Sequence, residues 1–228
     1  MKNNAIIAGA TGLVGSYLLR QLLSDEAYDS VTVITRRPTG VQNPRLKEYV
    51  VDFDDASSWE PFVKGEVLFL CLGTTRARAG STSQQYVVDH DYQVELAKAA
   101  VTNGVRTIVL VSSAGAKPNS PFFYTRMKAE TERDIEATGI GSLKIIRPGP
   151  LTGPRKEKRK AEQAGIRFLN LVNRIGLFRK YSPVHAEVVA AAMIKAARLP
   201  DAKTEVFELL QVFRLAGHDP AAFSKRAE

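Results

Sequence analysis

The chain has 228 residues, 44% of them hydrophobic, and carries 32 lysines and arginines against 24 acids, a formal charge of +8. That length and apolar content suit one well-packed unit, an expected single domain over 1–228, and are thin for two. The longest apolar runs, such as 67–72, are strand-length and far below the ~20 residues of a membrane span, and a single cysteine excludes an internal disulfide. The first residues, Met1-Lys2-Asn3-Asn4, lead straight into a strand, and a cytoplasmic setting is the resulting expectation. The basic balance favours an anionic partner without choosing one. It is concentrated in 155–160, where five of six residues are positive. That run reads as a solvated segment, as a clamp on a cofactor phosphate or as a nucleic-acid contact. No nucleic-acid motif or aromatic platform accompanies it, so no nucleic acid is expected.

In chain order, Ala5–Ala8 reads as a strand. Gly15 to Leu23 reads as a helix with Leu18, Leu19, Leu22 and Leu23 on one face. Strands follow at Val31–Thr35, Glu48–Phe53 and Val67–Leu72, and Cys71 in the last of these reads as a small buried core residue. A long helix is predicted from Gln84 to Asn103, with Gly104 in the C-cap position. Thr107–Ser112 is a further strand, Phe123 to Thr138 a helix, and Leu143–Arg147 a strand stopped by Pro148-Gly149-Pro150. Beyond it come helices near 166–175 and 186–199, a last strand over 205–210 and a polar tail. Strands without a polar face alternating with helices predict an α/β, doubly wound Rossmann fold with a mostly parallel sheet. Residues 151–228 read as a small cap over the carboxyl ends of the strands, where such sheets bind ligands.

The segment GATGLVG, residues 9–15, follows the first strand and opens the first helix. A tight turn and a close backbone approach are what a pyrophosphate requires, and the helix start offers N–H groups to it. Gly9 and Gly12 are therefore cofactor candidates, with Gly15 serving helix–strand packing. The second strand ends in Arg36-Arg37, where an NAD site usually has an acid for the ribose hydroxyl. Two guanidinium groups suit a 2′-phosphate instead, so NADP (NADPH) is favoured over NAD. Asp52, at the end of the third strand, is read either as facing the adenine or as a turn residue. Leu72 and Gly73 end the fourth, where glycine lets the backbone pass beside the riboses.

Tyr124 and Lys128 stand four apart on a predicted helix and share a face. An ammonium beside a phenol favours the phenolate and makes it a usable acid or base near neutral pH. Ser112-Ser113 precede them on the fifth strand, and Ser113 is the favoured hydroxyl for holding a substrate carbonyl. Lys128 can also bond the nicotinamide ribose. The candidate catalytic set is Ser113, Tyr124 and Lys128.

GATGLVG, CLGTTRARAG at 71–80, VDHDYQVELAKAA at 88–100, VSSAGA with YTRMK, and IIRPGPL at 145–151 occur in this order. Together they resemble the Tat-interacting oxidoreductase family, atypical short-chain dehydrogenases with fungal mitochondrial and bacterial members, over roughly residues 5–195. The resemblance implies NADP(H) binding and a Ser/Tyr/Lys site, lines the phosphate loop with Thr11, Gly12, Leu13 and Val14, sets Leu72 and Gly73 on the adenosine side, places Leu151 near the nicotinamide and sets Arg159 at a further cofactor contact. The mitochondrial location of the fungal members is not carried over, for want of a transit-like leader.

The expected function is an NADP(H)-dependent oxidoreductase moving hydride between nicotinamide and a carbonyl or alcohol substrate, as a monomer or homodimer. The alternative is a non-catalytic NADP(H) sensor acting through a protein partner. Arg76, Arg78, Phe122, Phe123 and His185 fall where a substrate pocket is expected, but they define no chemical class.

Overall fold

The computed structural model describes residues 3–154 and 183–218. The predicted helix near 166–175, the basic run 155–160 and Arg159 lie outside those residues. The elements are β1 (Asn4–Ala8), α1 (Leu13–Ser24), β2 (Ser30–Thr35), β3 (Leu46–Val50), β4 (Val67–Leu70), α2 (Arg76–Ala79) and α3 (Thr82–Tyr86). A π turn (Val87–Asp91) leads into α4 (Tyr92–Thr102), followed by β5 (Thr107–Val111), α5 (Phe123–Glu136), β6 (Ser142–Arg147) and β7 (Leu151–Thr152). The last are β8 (Val184–His185), α6 (Ala186–Ala197), β9 (Thr204–Glu208) and α7 (Leu210–Ala216).

Seven strands form one sheet in the order β3-β2-β1-β4-β5-β6-β9, and every neighbouring pair in it is parallel. The fold is the expected α/β Rossmann-like one. Side chains alternate across the sheet because successive strand residues point to opposite faces. Ala5 and Ile7 of β1 join a core with Leu18, Leu19 and Leu22 of α1 and Val189 and Met193 of α6. Ile6 and Ala8 join the opposite core with Leu96 and Ala100 of α4 and Ile135 of α5. Each fully buried leucine of α1 contributes about 1.5–3 kcal/mol over an exposed one, which holds this helix, and its loop, against β1.

Several elements differ from the sequence expectation for local reasons. The third strand stops at Val50 rather than Phe53 because Asp52 Oδ1 accepts the N–H of Asp54 at 3.0 Å, forming a turn. The fourth stops at Leu70, and Cys71 is only half-buried, with Sγ 3.9 Å from Met193 Sδ. The long helix begins earlier, at Thr82, where Ser81 Oγ accepts the N–H of Gln84, and it carries the π turn inside it. Where a polar tail was expected, Leu209 turns the chain (φ 53°) into α7, whose Val212, Phe213 and Ala216 are buried.

The described part of 151–228 is divided between two places. The short β7–β8 pair lies beside the start of α1, with Gly153 near Leu13 and His185. The chain then returns to the layers: α6 packs along α1, tied by Gln21 Nε2 donating to Glu187 O at 3.1 Å, and β9 extends the sheet beside β6.

Candidate functional site

The strand order reverses direction between β1 and β4. In parallel sheets this switch point opens a crevice at the carboxyl ends of the strands, and the loops after β1 and β4 line it. Gly9 has φ 94°, and a Cβ there would lie 2.5 Å from the Cys71 carbonyl carbon. Only glycine lets the two loops touch in this way. Gly12 N donates to Gly9 O at 3.0 Å to close the turn, and Ser16 N donates to Gly12 O at 3.0 Å as α1 begins. No side chain caps this helix, and no acid sits in its first turn. Its N–H groups and positive dipole end therefore face the crevice without a built-in anion. Thr11 and Gly12 are exposed, Leu13 is half-buried, and the Val14 side chain is buried in the core, which leaves Val14 only its backbone for a ligand.

Arg36 and Arg37 leave the carboxyl end of β2 and are both exposed. The Thr35 hydroxyl donates to Arg37 O at 2.8 Å, pinning the backbone there. Arg36 lies close enough to Tyr92 for its charge to act on that phenol. Asp52 is exposed and spends one carboxylate oxygen on its own turn. The adjoining Phe53 is buried and stacks on Tyr92 with ring centroids 5.3 Å apart, while Tyr92 donates to Asp54 at 2.5 Å. Burial and that hydrogen bond push the Tyr92 phenol up to about 12. Leu72 is half-buried against the second core, Gly73 is exposed, and Leu151 is half-buried beside the first core. Arg76 is exposed and Phe122 is 73% exposed.

Tyr124 is the second residue of α5 and is 42% exposed, whereas Lys128, one turn on, is buried. Lys128 Nζ lies 5.9 Å from the Tyr124 ring centroid. The lysine pairs with Asp89 Oδ1 at 3.2 Å. Burial works against its charge, but Tyr124 and Asp89 outweigh that, and its pKa stands above the ordinary lysine value. Ser113, just past β5, is half-buried and donates to its neighbour Ala114 O at 3.3 Å. Ser112 is buried and donates to Glu132. The same Glu132 holds Arg147 through a fork, Nε to Oε1 at 2.9 Å and a second bond to Oε2. Arg147 also lies 4.0 Å from Glu208, which accepts the N–H of Gly115 at 3.0 Å. The residues after β5 are thus anchored from both α5 and β9.

Burial pushes the Cys71 thiol up to about 12, so it is uncharged at neutral pH. A groove of about 340 Å³ lies at the other end of the sheet, between Val101, Gly104, Ile140 and Asp201, away from the switch point. Among the described residues there is no cluster of three or more potential metal ligands, and no helix is long and apolar enough to cross a membrane.

Sequence reasoning missed Asp89, Glu132 and Arg147. Two of them left a signal. Asp89 begins the stripe Asp89, Gln93, Leu96, Ala100 that the helix buries, and Glu132 extends the Tyr124–Lys128 face by another turn. An acid on a buried stripe needs a partner.

An NAD(P)H-binding family model matches residues 9–200. The protein named FMP52, mitochondrial, of Candida glabrata is 40% identical over 205 residues, covering 86% of this chain and 85% of its own. Its Saccharomyces cerevisiae namesake is 41% identical and covers 71% of each chain. Among solved structures, MoeE5 in complex with UDP-glucose and NAD superposes with a TM-score of 0.70 at 18% identity, over 94% of this chain and 81% of its own. UDP-glucose 4-epimerase of Thermotoga maritima superposes with a TM-score of 0.69 at 17% identity, over 95% and 83%. Both show the shared fold. These relatives carry the fungal mitochondrial name rather than that of the Tat-interacting oxidoreductase. They also overturn the cytoplasmic expectation, since curated proteins at about this identity are named mitochondrial. By the family model and by these relatives, the chain belongs to the NAD(P)H-binding family of Rossmann-type proteins.

Proposed function

We propose that the protein is an NADP(H)-dependent oxidoreductase of the atypical short-chain dehydrogenase type, with residues 1–228 acting as one dinucleotide-binding domain. The observation that carries this reading is the half-exposed Tyr124 above the buried, charged Lys128 on one face of α5. The uncapped start of α1 fits a dinucleotide's phosphates. Gly9, Thr11, Gly12, Leu13 and Val14 would hold the pyrophosphate, chiefly through backbone N–H groups. Leu72 and Gly73 would line the adenosine and ribose side, with Asp52 at the adenine end and Leu151 near the nicotinamide.

Arg36 and Arg37 would take the 2′-phosphate. Among the described residues neither guanidinium has a hydrogen-bond or ion-pair partner, which leaves both free for an anion. Replacing both with serine is expected to weaken NADPH binding by roughly 10–100-fold, about 1.5–3 kcal/mol for the pair together, because both guanidiniums are exposed and solvent-screened. NADH binding should be unaffected. Fluorescence titration with both nucleotides decides it, and equal losses for the two would refute the assignment.

The nicotinamide, when bound, supplies the hydride. Ser113 would orient the carbonyl oxygen of the substrate, Tyr124 would exchange the proton with that oxygen, and the Lys128 ammonium would stabilise the phenolate form. Tyr124→Phe should cost about 10²–10⁴ in rate on a panel of aldehydes, ketones and quinones. Turnover unaffected by that change removes Tyr124 from the mechanism. Tight NADPH binding with no turnover across the panel favours a cofactor sensor. The names of the fungal relatives support a mitochondrial setting, which fractionation of the tagged protein tests.

A further inference from the structure

The π turn between α3 and α4 carries an acid that the sequence reading did not use. Asp89 is 1% exposed, and its two carboxylate oxygens are divided between two elements. Oδ2 accepts the N–H of Thr74 in the loop after β4 at 2.7 Å, and Oδ1 meets Lys128 Nζ on α5 at 3.2 Å. The backbone carbonyl of Asp89 is held as well, by Gln93 Nε2 at 2.5 Å and by Thr131 Oγ1 of α5 at 3.3 Å. Gly73 lies directly over the carboxylate, since a Cβ there would stand 3.4 Å from Oδ1. One side chain thus ties the crevice loop after β4 to the helix that carries Tyr124. Single π turns of this kind recur at functional sites.

A buried ion pair is a poor way to gain stability, because an apolar pair of the same volume does as well or better. Its presence needs another reason, and the chemistry of Lys128 supplies one. A lysine buried without a partner sheds its proton, with documented values of about 5–6. A neutral amine cannot favour a phenolate. We propose that Asp89 is a positioning residue of the Tyr124 site: its carboxylate fixes Lys128 Nζ against the loop after β4 and keeps it protonated. The functional half of this statement rests on the reading of Tyr124 and Lys128 given above. Among the described residues, the other titratable groups facing Lys128 are Cys71 just past β4, which is uncharged, and Tyr124 and Glu132 from its own helix. Glu132 is already committed to Arg147 and Ser112.

The test needs neither cofactor nor substrate. Lysine side chains labelled with ¹³C at Cε are followed by NMR through an alkaline titration, and the Lys128 signal is assigned by its loss in Lys128→Met. At about pH 10.4, where ordinary lysines are half titrated, Lys128 of the wild-type protein should still show the ammonium shift. In Asp89→Asn its midpoint should fall by about one unit or more, because burial is no longer opposed, and Asp89→Glu should restore most of the difference. A wild-type Lys128 that titrates with the surface lysines, or earlier, overturns the proposal. So does an Asp89→Asn protein that is folded by circular dichroism and leaves the midpoint in place. If Asp89→Asn does not fold, the wild-type titration and Asp89→Glu decide. Catalysis separates the two readings: an anchored Lys128 in a protein without turnover defeats the proposed reaction alone, whereas turnover with an unshifted Lys128 defeats this inference alone.

Discussion

Gly15→Ala sets two physical effects of opposite sign against each other. Gly15 is the third residue of α1, and helix propensity alone says alanine should stabilise it by about 1 kcal/mol. A Cβ at Gly15, however, would lie 2.2 Å from Gly9 O and 2.8 Å from Gly9 C. Relieving that contact requires a shift of about 1 Å, since close-packed atoms resist smaller intrusions than this. Gly9 has nowhere to retreat, because its own backbone rests against Cys71 and Leu72. Overpacking of this kind costs about 1–3 kcal/mol, and a strained Gly12 N to Gly9 O bond adds about 1 kcal/mol. The sum is a net loss of about 2 kcal/mol after the propensity gain. With a urea dependence near 3 kcal/mol/M, the unfolding midpoint falls by roughly 0.7 M. The single tryptophan, Trp59, is buried and reports the transition by its fluorescence. Gly12→Ala is the graded control, since its Cβ would lie 3.2 Å from Gly9 O, and its midpoint should move less. A midpoint for Gly15→Ala that is unchanged or raised would refute the claim that backbone approach, and not helix propensity, governs this position.

Glu132→Gln leaves the half-buried Arg147 without its carboxylate and should cost about 2–4 kcal/mol in urea unfolding, while Glu132→Gln with Arg147→Met should recover part of the loss; a single variant as stable as wild type would show the fork to be idle. Asp134 is held below the ordinary carboxylate value by its Arg133 hydrogen bond and, against some desolvation, by His90. A depressed folded-state pKa gives stability that is present above pH 3.8 and lost as pH falls through the lower folded value. The gap in melting temperature between wild type and Asp134→Asn should therefore close below about pH 4, and a gap constant through that range contradicts the pairing. Burial, with hydrogen bonds to Glu130 and Asp54, holds Tyr86 and Tyr92 up to about 12. The alkaline rise in tyrosinate absorbance should show a late phase that Tyr92→Phe diminishes, and a titration with no late phase contradicts those contacts.

The glycine loop over 9–15 was legible because everything that defines it lies within seven residues. Glycine spacing, a strand before and a helix after are local features, and the structure adds only what each glycine touches. Tyr124 and Lys128 were legible for the same reason, as a four-residue spacing on one helix. Their environment was not. Lys128 pairs with Asp89, which lies in the irregular turn between two other helices, and no periodicity announces a π turn. Ser112 reads as turned into the sheet or towards the cofactor, but its partner Glu132, twenty residues on, could not be read from spacing. Arg147, read only as part of the segment before Pro148, proved to be the partner of that glutamate. The third strand was drawn too long because the apolar run continues through Phe53, while the Asp52 side chain ends the ladder at Val50.

Sequence alone settled the α/β alternation, the parallel sheet, the glycine turn between β1 and α1 and the shared helix face of Tyr124 and Lys128, since periodicity and turn chemistry act between residues a few positions apart. Tertiary structure decided which acids are buried against which bases, and that β9 and α6 belong to the layers rather than to a cap. Those outcomes depend on desolvation and on pairing across helices far apart in the chain. Burial that strips a lysine of water, and the carboxylate that compensates it, exist only once the two helices have packed.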